Sequence, residues 1–586
     1  MTKTPQNQED PVRDAFADMR RVFIGVAGFS LFTSMLMLTG PLYMLQVYDR
    51  VLASSSVHTL IALTVLILVL YAGFAVLDWV RNGILSRAGS RFEDILGDRT
   101  LIATIKGRLD DPGRGSDKPI RDLRLLRRFL GSPAVTAMFD APFSLMFLLI
   151  IFMIHWGYGL LTLGGGIILV GIAFLNQSIS KKTVHDAERL EAQAQARVME
   201  VSQNAEIIEA LGLGERVRKK WRDEFDRSDA ALVSSSSLLG RFSSGTKAFR
   251  LFLQSSVLGL GAYLSIIGIS TPGEMIAASI LTGRAIGPIE QLVGQWRSVS
   301  SARAAWDTLS ATLIGKASGP DTMELPPVRG QIQFEGVSAG PPGASKPFLQ
   351  QLSFQIEAGD IIGVIGPSAA GKSSLVRIMV GIWKAQIGTV RIDGSDISSW
   401  SREVLGPQLG YLPQQVDLFS GRIHENIARF DPDASSEAVI AAAQAAGCHD
   451  MILRLPDGYD TEIGMRGAYL SAGQRQRIGL ARALYGEPAI IVLDEPNSNL
   501  DNVGEVALQN AIAGLKARQA TLIMIAHRPK SIGQCNKLLM LDGGRMRAFG
   551  PRDEVLAEVA PANVRPKAAR QGGKIVSLPK GGNDDG

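Results

Sequence analysis

Residues Gly366, Pro367, Ser368, Ala369, Ala370, Gly371, Lys372 and Ser373 fit the pattern G-x-x-x-x-G-K-[ST], and Ser374 follows them. At that spacing successive backbone N–H groups converge on phosphate oxygens, the lysine reaches the outer phosphates and the hydroxyl reaches Mg2+. The apolar run 361–365 before the loop reads as a strand, and the residues after it open a helix whose N-terminal dipole favours an anion. Asp494 and Glu495 follow another apolar run, 490–493. Asp494 suits the metal, directly or through water, and Glu495 beside it suits orienting a water and taking its proton. Gln414, within Tyr411-Leu412-Pro413-Gln414-Gln415, can reach the same metal and water from a loop. His527, closing the run 521–527, can bridge the terminal phosphate to Glu495. Alone, Gln414 is a turn glutamine and His527 a strand-end histidine; the ordered set assigns them these roles.

Elements must bring these residues together. The runs 361–365, 490–493 and 522–525 are almost wholly apolar, as buried parallel strands are. Helical stretches alternate with them, so residues 328–560 are expected to form an α/β domain. Residues 300–327, polar with Pro and Gly, read as a linker, and residues 561–586, rich in Lys, Gly, Pro and Asp, as a disordered tail.

The first half differs. Residues 22–47 and 59–77 carry no charged side chain, 133–175 is long enough for two crossings hinged near 155–158, and 251–269 is again uncharged. A helix needs about 20 apolar residues to cross the hydrocarbon core. With 274–296, which contains Arg284 and Glu290, this predicts a six-helix membrane domain over 22–299, after an N-terminal segment 1–21. Lys and Arg concentrate in the connections 78–132 and 176–250, whereas the short connections near 49–57, 155–158 and 270–273 carry only Arg50. That asymmetry predicts both termini on the cytoplasmic side. The long basic connections have helical character, so spans two to five are expected to continue as helices beyond the membrane. Arg284 falls inside span six. Such a residue either lines a polar path or pairs with a neighbouring helix or carbonyl. Asp140 either lines the same path or, the preferred reading, marks a helix region on the cytoplasmic side.

Composition agrees. The 586 residues exceed one domain, and 46% are hydrophobic. The net charge of +5 is accounted for by the membrane connections, so no nucleic-acid partner is expected. Two cysteines, Cys448 and Cys535, make no disulfide framework, and Cys448 beside His449 lacks the further ligands of a metal site.

Residues 328–555 resemble the ATP-binding cassette family. Leu470-Ser471-Ala472-Gly473-Gln474 is similar to its signature, with Ala472 replacing a common glycine, and Ser498-Asn499-Leu500-Asp501 looks like its D-loop. The resemblance implies ATP and Mg2+ as cofactors and a homodimer, in which Ser471, Gly473, Gln474 and Asp501 of one copy face the ATP held by the loop of the other. Thr461-Glu462-Ile463-Gly464 looks like the segment exporters place against the membrane domain, although Met465 stands where a Glu is frequent. Six spans and one cassette resemble an exporter half-transporter. Gly40-Pro41-Leu42-Tyr43-Met44-Leu45-Gln46-Val47-Tyr48-Asp49-Arg50-Val51-Leu52, residues 204–212 and residues 283–290 look like the type I secretion ATPases, in particular the protease-secretion (PrtD-like) branch. This implies an inner-membrane protein that exports unfolded substrates bearing a C-terminal signal, with a periplasmic adaptor and an outer-membrane channel as partners. A lipid or hydrophobic-compound flippase on the same fold is the alternative, and a membrane-anchored signalling ATPase a more distant one. Two departures stand out. The stretch 337–342, where exporters place an aromatic to stack on adenine, has none. Ala369 replaces a frequent loop glycine, which requires a negative φ there.

Overall fold

The computed structural model describes residues 10–110, 117–314, 326–526 and 528–559. They form two compact units, one before residue 315 and one after residue 325.

The first unit is helical: α1 (Pro11–Asp18), α2 (Arg20–Leu36), α3 (Thr39–Gln46), α4 (Leu52–Ser54), α5 (Val57–Asp110), α6 (Lys118–Leu130), α7 (Pro133–Asp140), α8 (Ser144–Ile154), α9 (Trp156–Gln203), α10 (Ala205–Ala210), α11 (Gly214–Ile266), α12 (Pro272–Gly294) and α13 (Trp296–Leu313). Among the described residues, five stretches are long and apolar enough to cross a membrane: Arg20–Ser54, Val57–Asp110, Pro133–Ile154, Trp156–Gln203 and Gly214–Ile266. Helix α12 occupies the place of the sixth span, and its Glu274, Arg284 and Glu290 lower its hydropathy. The 54 residues of α5 span about 80 Å at 1.5 Å per residue, far more than the roughly 30 Å of hydrocarbon. Helices α5, α9 and α11 therefore extend well past the bilayer, as expected. Span three does not: its connection is the separate helix α6, and Pro133 starts a new helix after Gly131 and Ser132. The apolar stretch of α5 exposes Ile61, Val65, Leu68 and Val69, which lipid solvates where water would not.

Close packing in this unit uses small residues. A Cβ on Gly165 of α9 would run into the Leu253 side chain of α11, so glycine lets the two helices approach without displacing that leucine. Polar pairs add specificity. Arg81 of α5 is buried and donates to Asp78 Oδ1 (2.6 Å), Asp140 Oδ1 (2.7 Å) and Ser30 Oγ (3.0 Å), tying α2, α5 and α7 together. Asp140 ends α7, as expected of a helix-end residue, and also forms one side of a half-buried ion pair with Arg81. Glu290 pairs with Arg250 of α11. Arg284 is exposed and has no hydrogen-bond or ion-pair partner among the described residues. In the segment that carries Asp49, a π-helical turn, Val47–Val51, aims its carboxylate at the start of α12. Oδ1 accepts from Gly273 N (3.0 Å) and Oδ2 from Thr271 Oγ1 (2.8 Å).

The linker expected from residue 300 begins as helix. Ala302, Ala305, Leu309 and Leu313 of α13 pack with Val12 and Ala15 of α1, with Met19 just after it, and with Leu123, Leu126 and Leu130 of α6. Their helical spacing makes a buried face that polar composition concealed. The N-terminal segment contributes α1 to this core. The tail 561–586 lies outside the described residues.

Asp122 of α6 is buried beside this core, and its Oδ2 has no hydrogen-bond partner among the described residues. Burial pushes its carboxyl from 3.8 up to about 6, against the pull of Lys118 and Arg121 and with a further push from Glu188. The folded state therefore holds this proton more tightly than the unfolded chain, and stability falls as pH rises from about 4 through 6. Asp122→Asn removes that loss. Its thermal midpoint in detergent should exceed that of the parent at pH 7, by the equivalent of about 2–3 kcal/mol, and the gap should close near pH 4.

The second unit holds two sheets among its described residues. Strands β1 (Ile332–Ala339), β2 (Leu349–Ile356), β4 (Ile387–Ile392) and β5 (Ser395–Asp396) form one in the order β2-β1-β4-β5. Strands β3 (Ile361–Ile365), β6 (Leu409–Leu412), β7 (Ile490–Leu493), β8 (Thr521–Ile525), β9 (Lys537–Asp542) and β10 (Arg545–Pro551) form the other, in the order β10-β9-β3-β8-β7-β6. Pairing is parallel from β9 to β6 and antiparallel at the β10 edge. The period-2 alternation of a strand explains the unbroken apolar runs. Ile491, Leu493, Leu522 and Met524 enter one core, while Ile490, Val492, Ile523 and Ile525 enter the core on the opposite face.

Candidate functional site

Parallel strands place all their carboxyl ends on one edge, where α/β proteins bind ligands. The 366–373 loop leaves β3, Gln414 lies two residues past β6, and Asp494 follows β7 directly. Neighbouring strands thus gather residues far apart in sequence. His527 lies outside the described residues; the strand ahead of it, β8, sits between β3 and β7.

The loop turns on Gly366 (φ +148°) and Gly371 (φ +100°), and α14 (Lys372–Met379) starts directly after it. Pro367, Ser368 and Ala369 form its exposed crest, whereas Ala370 is buried and its carbonyl accepts from Gly544 N (3.2 Å). Ala369 has φ +63°, which corrects the expectation of a negative angle. The loop imposes a left-handed residue there, and alanine carries a steric cost of about 1–2 kcal/mol in it. Ala369→Gly relieves that cost, in part offset by the greater freedom of unfolded glycine. A gain of about 0.5–1 kcal/mol is expected, read as a higher unfolding midpoint.

Lys372 is buried, and its Nζ donates to the carbonyls of Gly366 and Pro367, both at 2.9 Å. Burial pulls its ammonium below the usual lysine range, while Glu495 and Asp494 pull the other way. Ser373 Oγ donates to Asp494 Oδ1 at 3.4 Å, and Ser374 continues the first turn of α14. Asp494 is buried, and burial pushes its carboxyl up against the Ser373 hydrogen bond. Glu495 adopts φ +52°, a strained angle for a side chain of its size. Gln414, itself exposed, donates to Glu495 Oε2 at 3.1 Å. Lysine, hydroxyl and two carboxylates therefore meet at one point. The oxygen donors of Ser373, Asp494 and Gln414 are the chemistry a hard divalent cation takes.

Ser471, Gly473, Gln474 and Asp501 make a second cluster. Ser471 caps the helix Ala472–Leu484: its Oγ accepts from Gln474 N (3.2 Å), while Gln474 Oε1 accepts from Ser471 N (2.8 Å). Gly473 lies in the first turn, where a Cβ would meet Asn499 O at 3.0 Å. Asp501 caps Asn502–Ala517 by accepting from Gly504 N (2.8 Å), and it also pairs with Arg477 of the preceding helix. Arg477 was not singled out by sequence; its spacing from Ser471 was the available signal. Among the described residues no hydrogen bond or ion pair joins this cluster to the 366–373 loop. Its capped, outward-facing helix end is available to a different molecule.

The family described as ABC transporter matches residues 349–498, and the one described as ABC transporter transmembrane region matches residues 23–289. The type I secretion system ATP-binding protein PrsD of Rhizobium meliloti (strain 1021) is 40% identical over 560 residues, 95% of this chain and 96% of the relative. The chain is an ABC transporter of the type I secretion family. The alpha-hemolysin translocation ATP-binding protein HlyB of Escherichia coli O157:H7 is 29% identical to this transporter over 92% of the chain and 77% of that relative. The transporter's fold is that of a solved bacterial Atm1-family ABC exporter with ATP bound (TM-score 0.82, 24% identity, 95% of this chain and 100% of that one). It is thus a multi-pass membrane protein whose ATPase unit binds ATP and couples its hydrolysis to transport.

Proposed function

We propose that this transporter is the inner-membrane component of a type I secretion system and exports unfolded proteins carrying a C-terminal signal. The observation that carries this is the 40% identity to a type I secretion ATP-binding protein along 95% of the chain. It works as a homodimer, both termini and the ATPase unit being cytoplasmic, with a periplasmic adaptor and an outer-membrane channel completing the route. The basic connections 78–132 and 176–250 support that orientation.

At each ATP, the amides of residues 366–374 and Lys372 hold the phosphates. Ser373, Asp494 and Gln414 would hold Mg2+, which would supply charge neutralisation on the phosphate oxygens. Glu495 orients water and takes its proton, with His527 steadying the terminal phosphate. Ser471, Gly473, Gln474 and Asp501 come from the other copy, which fits the absence, among the described residues, of any hydrogen bond or ion pair to their own loop. Closure of the two ATPase units then moves the long helices α5, α9 and α11. Arg284, exposed on α12, lines the path for an acidic unfolded chain.

The test compares proteins released by cells with and without this chain. A released protein that disappears with the transporter, and returns with it only when its own C-terminus is intact, supports the reading. An unchanged set of released proteins, with altered leaflet distribution of a lipid, overturns it in favour of a flippase.

A further inference from the structure

Glu495 holds a costly backbone. Its φ is +52°, and Pro496 follows it. A residue ahead of proline favours an extended chain, and any residue with a Cβ disfavours the left-handed region. Such an angle persists only where the surroundings fix it. Here hydrogen bonds on several sides do so. Ser498 N donates to Glu495 O (3.2 Å), closing the turn on itself. Asn497 Nδ2 donates to Ser531 Oγ (2.8 Å). Gln476 Nε2 donates to the Pro496 carbonyl (3.1 Å), one peptide beyond Glu495.

Gln476 comes from another element, the helix Ala472–Leu484, and is only 2% exposed. Burying an amide is costly unless it is bonded, and packing alone would be served by an aliphatic such as its buried neighbours Ile478 and Leu480. The amide is therefore spent on the Pro496 carbonyl. The same helix grips the chain further along: Gly473 lies close to Asn499 O, and Arg477 pairs with Asp501. The angle at Glu495 thus depends on where this one helix sits.

We infer that Gln476 is a positioning residue for hydrolysis. Through the Pro496 carbonyl it holds Glu495 at the backbone angle from which its carboxylate meets the attacking water. This rests on the reading of Glu495 as the group that takes the proton. Gln476 acts through the backbone, so it bears on turnover and not on nucleotide affinity.

ATP hydrolysis and equilibrium ATP binding by the full-length transporter in detergent test this. Gln476→Leu and Gln476→Met keep the bulk and remove the donor. Each should lower turnover about 10- to 100-fold and leave ATP affinity unchanged. Gln476→Leu combined with Glu495→Gln should turn over no more slowly than Glu495→Gln alone, because the base through which Gln476 acts is already gone. Turnover at the parent rate in both single variants overturns the inference. An equal proportional loss with and without Glu495→Gln, a parallel loss of ATP affinity, or a collapsed unfolding midpoint in both variants overturns it too, since Gln476 then supports the fold and not the base. If Glu495→Gln itself hydrolyses ATP at the parent rate, the reading of Glu495 fails, and the role of Gln476 falls with it.

Discussion

Glu495→Gln is expected to bind ATP with normal affinity and to lose nearly all turnover. Glu495 directly follows the buried Asp494, has a left-handed backbone and accepts a hydrogen bond from Gln414. Glutamine keeps the shape and leaves the phosphate loop untouched, but it cannot take a proton from water. Proton transfer by a positioned group contributes about 10²–10⁴ to rate, so turnover should fall by that factor. If the protein works as the proposed homodimer, blocked chemistry should make ATP accumulate at the seam between two copies and the closed dimer persist. Phosphate release, nucleotide retention and crosslinking of Ser471→Cys to Ser368→Cys of the other copy would measure these three consequences. Ordinary phosphate release by the Gln variant would remove Glu495 from its role.

Lys372→Ala should abolish turnover by a different route, through binding. The ammonium is buried against the Gly366 and Pro367 carbonyls, with Asp494 and Glu495 close enough to influence it. Its removal leaves those carbonyls without a donor and takes the positive charge from a site built for phosphates. Hydrogen bonds to charged groups are worth about 1.5–3 kcal/mol, which corresponds to a loss of about 10- to 150-fold in ATP affinity. Tripolyphosphate affinity should fall in parallel, since the lysine reads phosphate alone. Retained affinity for both would show that the loop amides hold the anion without the side chain.

Much of the fold was legible before any coordinates. Uncharged runs too long for a soluble core declared the spans, because lipid tolerates no unpaired charge. Buried parallel strands have to be apolar on both faces, so 361–365, 490–493 and 522–525 stood out by composition and proved to be three adjacent strands. The elements that were misread have mixed composition. Helix α13 hides a buried Ala/Leu face among Arg, Asp, Ser and Thr, and so passed for a linker. Arg81 and Asp140 lie far apart in the chain, and nothing in either neighbourhood reveals that they meet.

The amino-acid order alone determined the phosphate loop, the acidic pair Asp494–Glu495, the membrane half and the family resemblance. Each is a local pattern, readable within one element or one turn. Tertiary structure alone decided the left-handed angles at Ala369 and Glu495, the Arg477–Asp501 pair, the buried Asp122 and the bond from Gln476 to the Pro496 carbonyl. Backbone angles, burial and long-range contacts depend on how elements pack, and packing is a property of the whole chain that no short window contains.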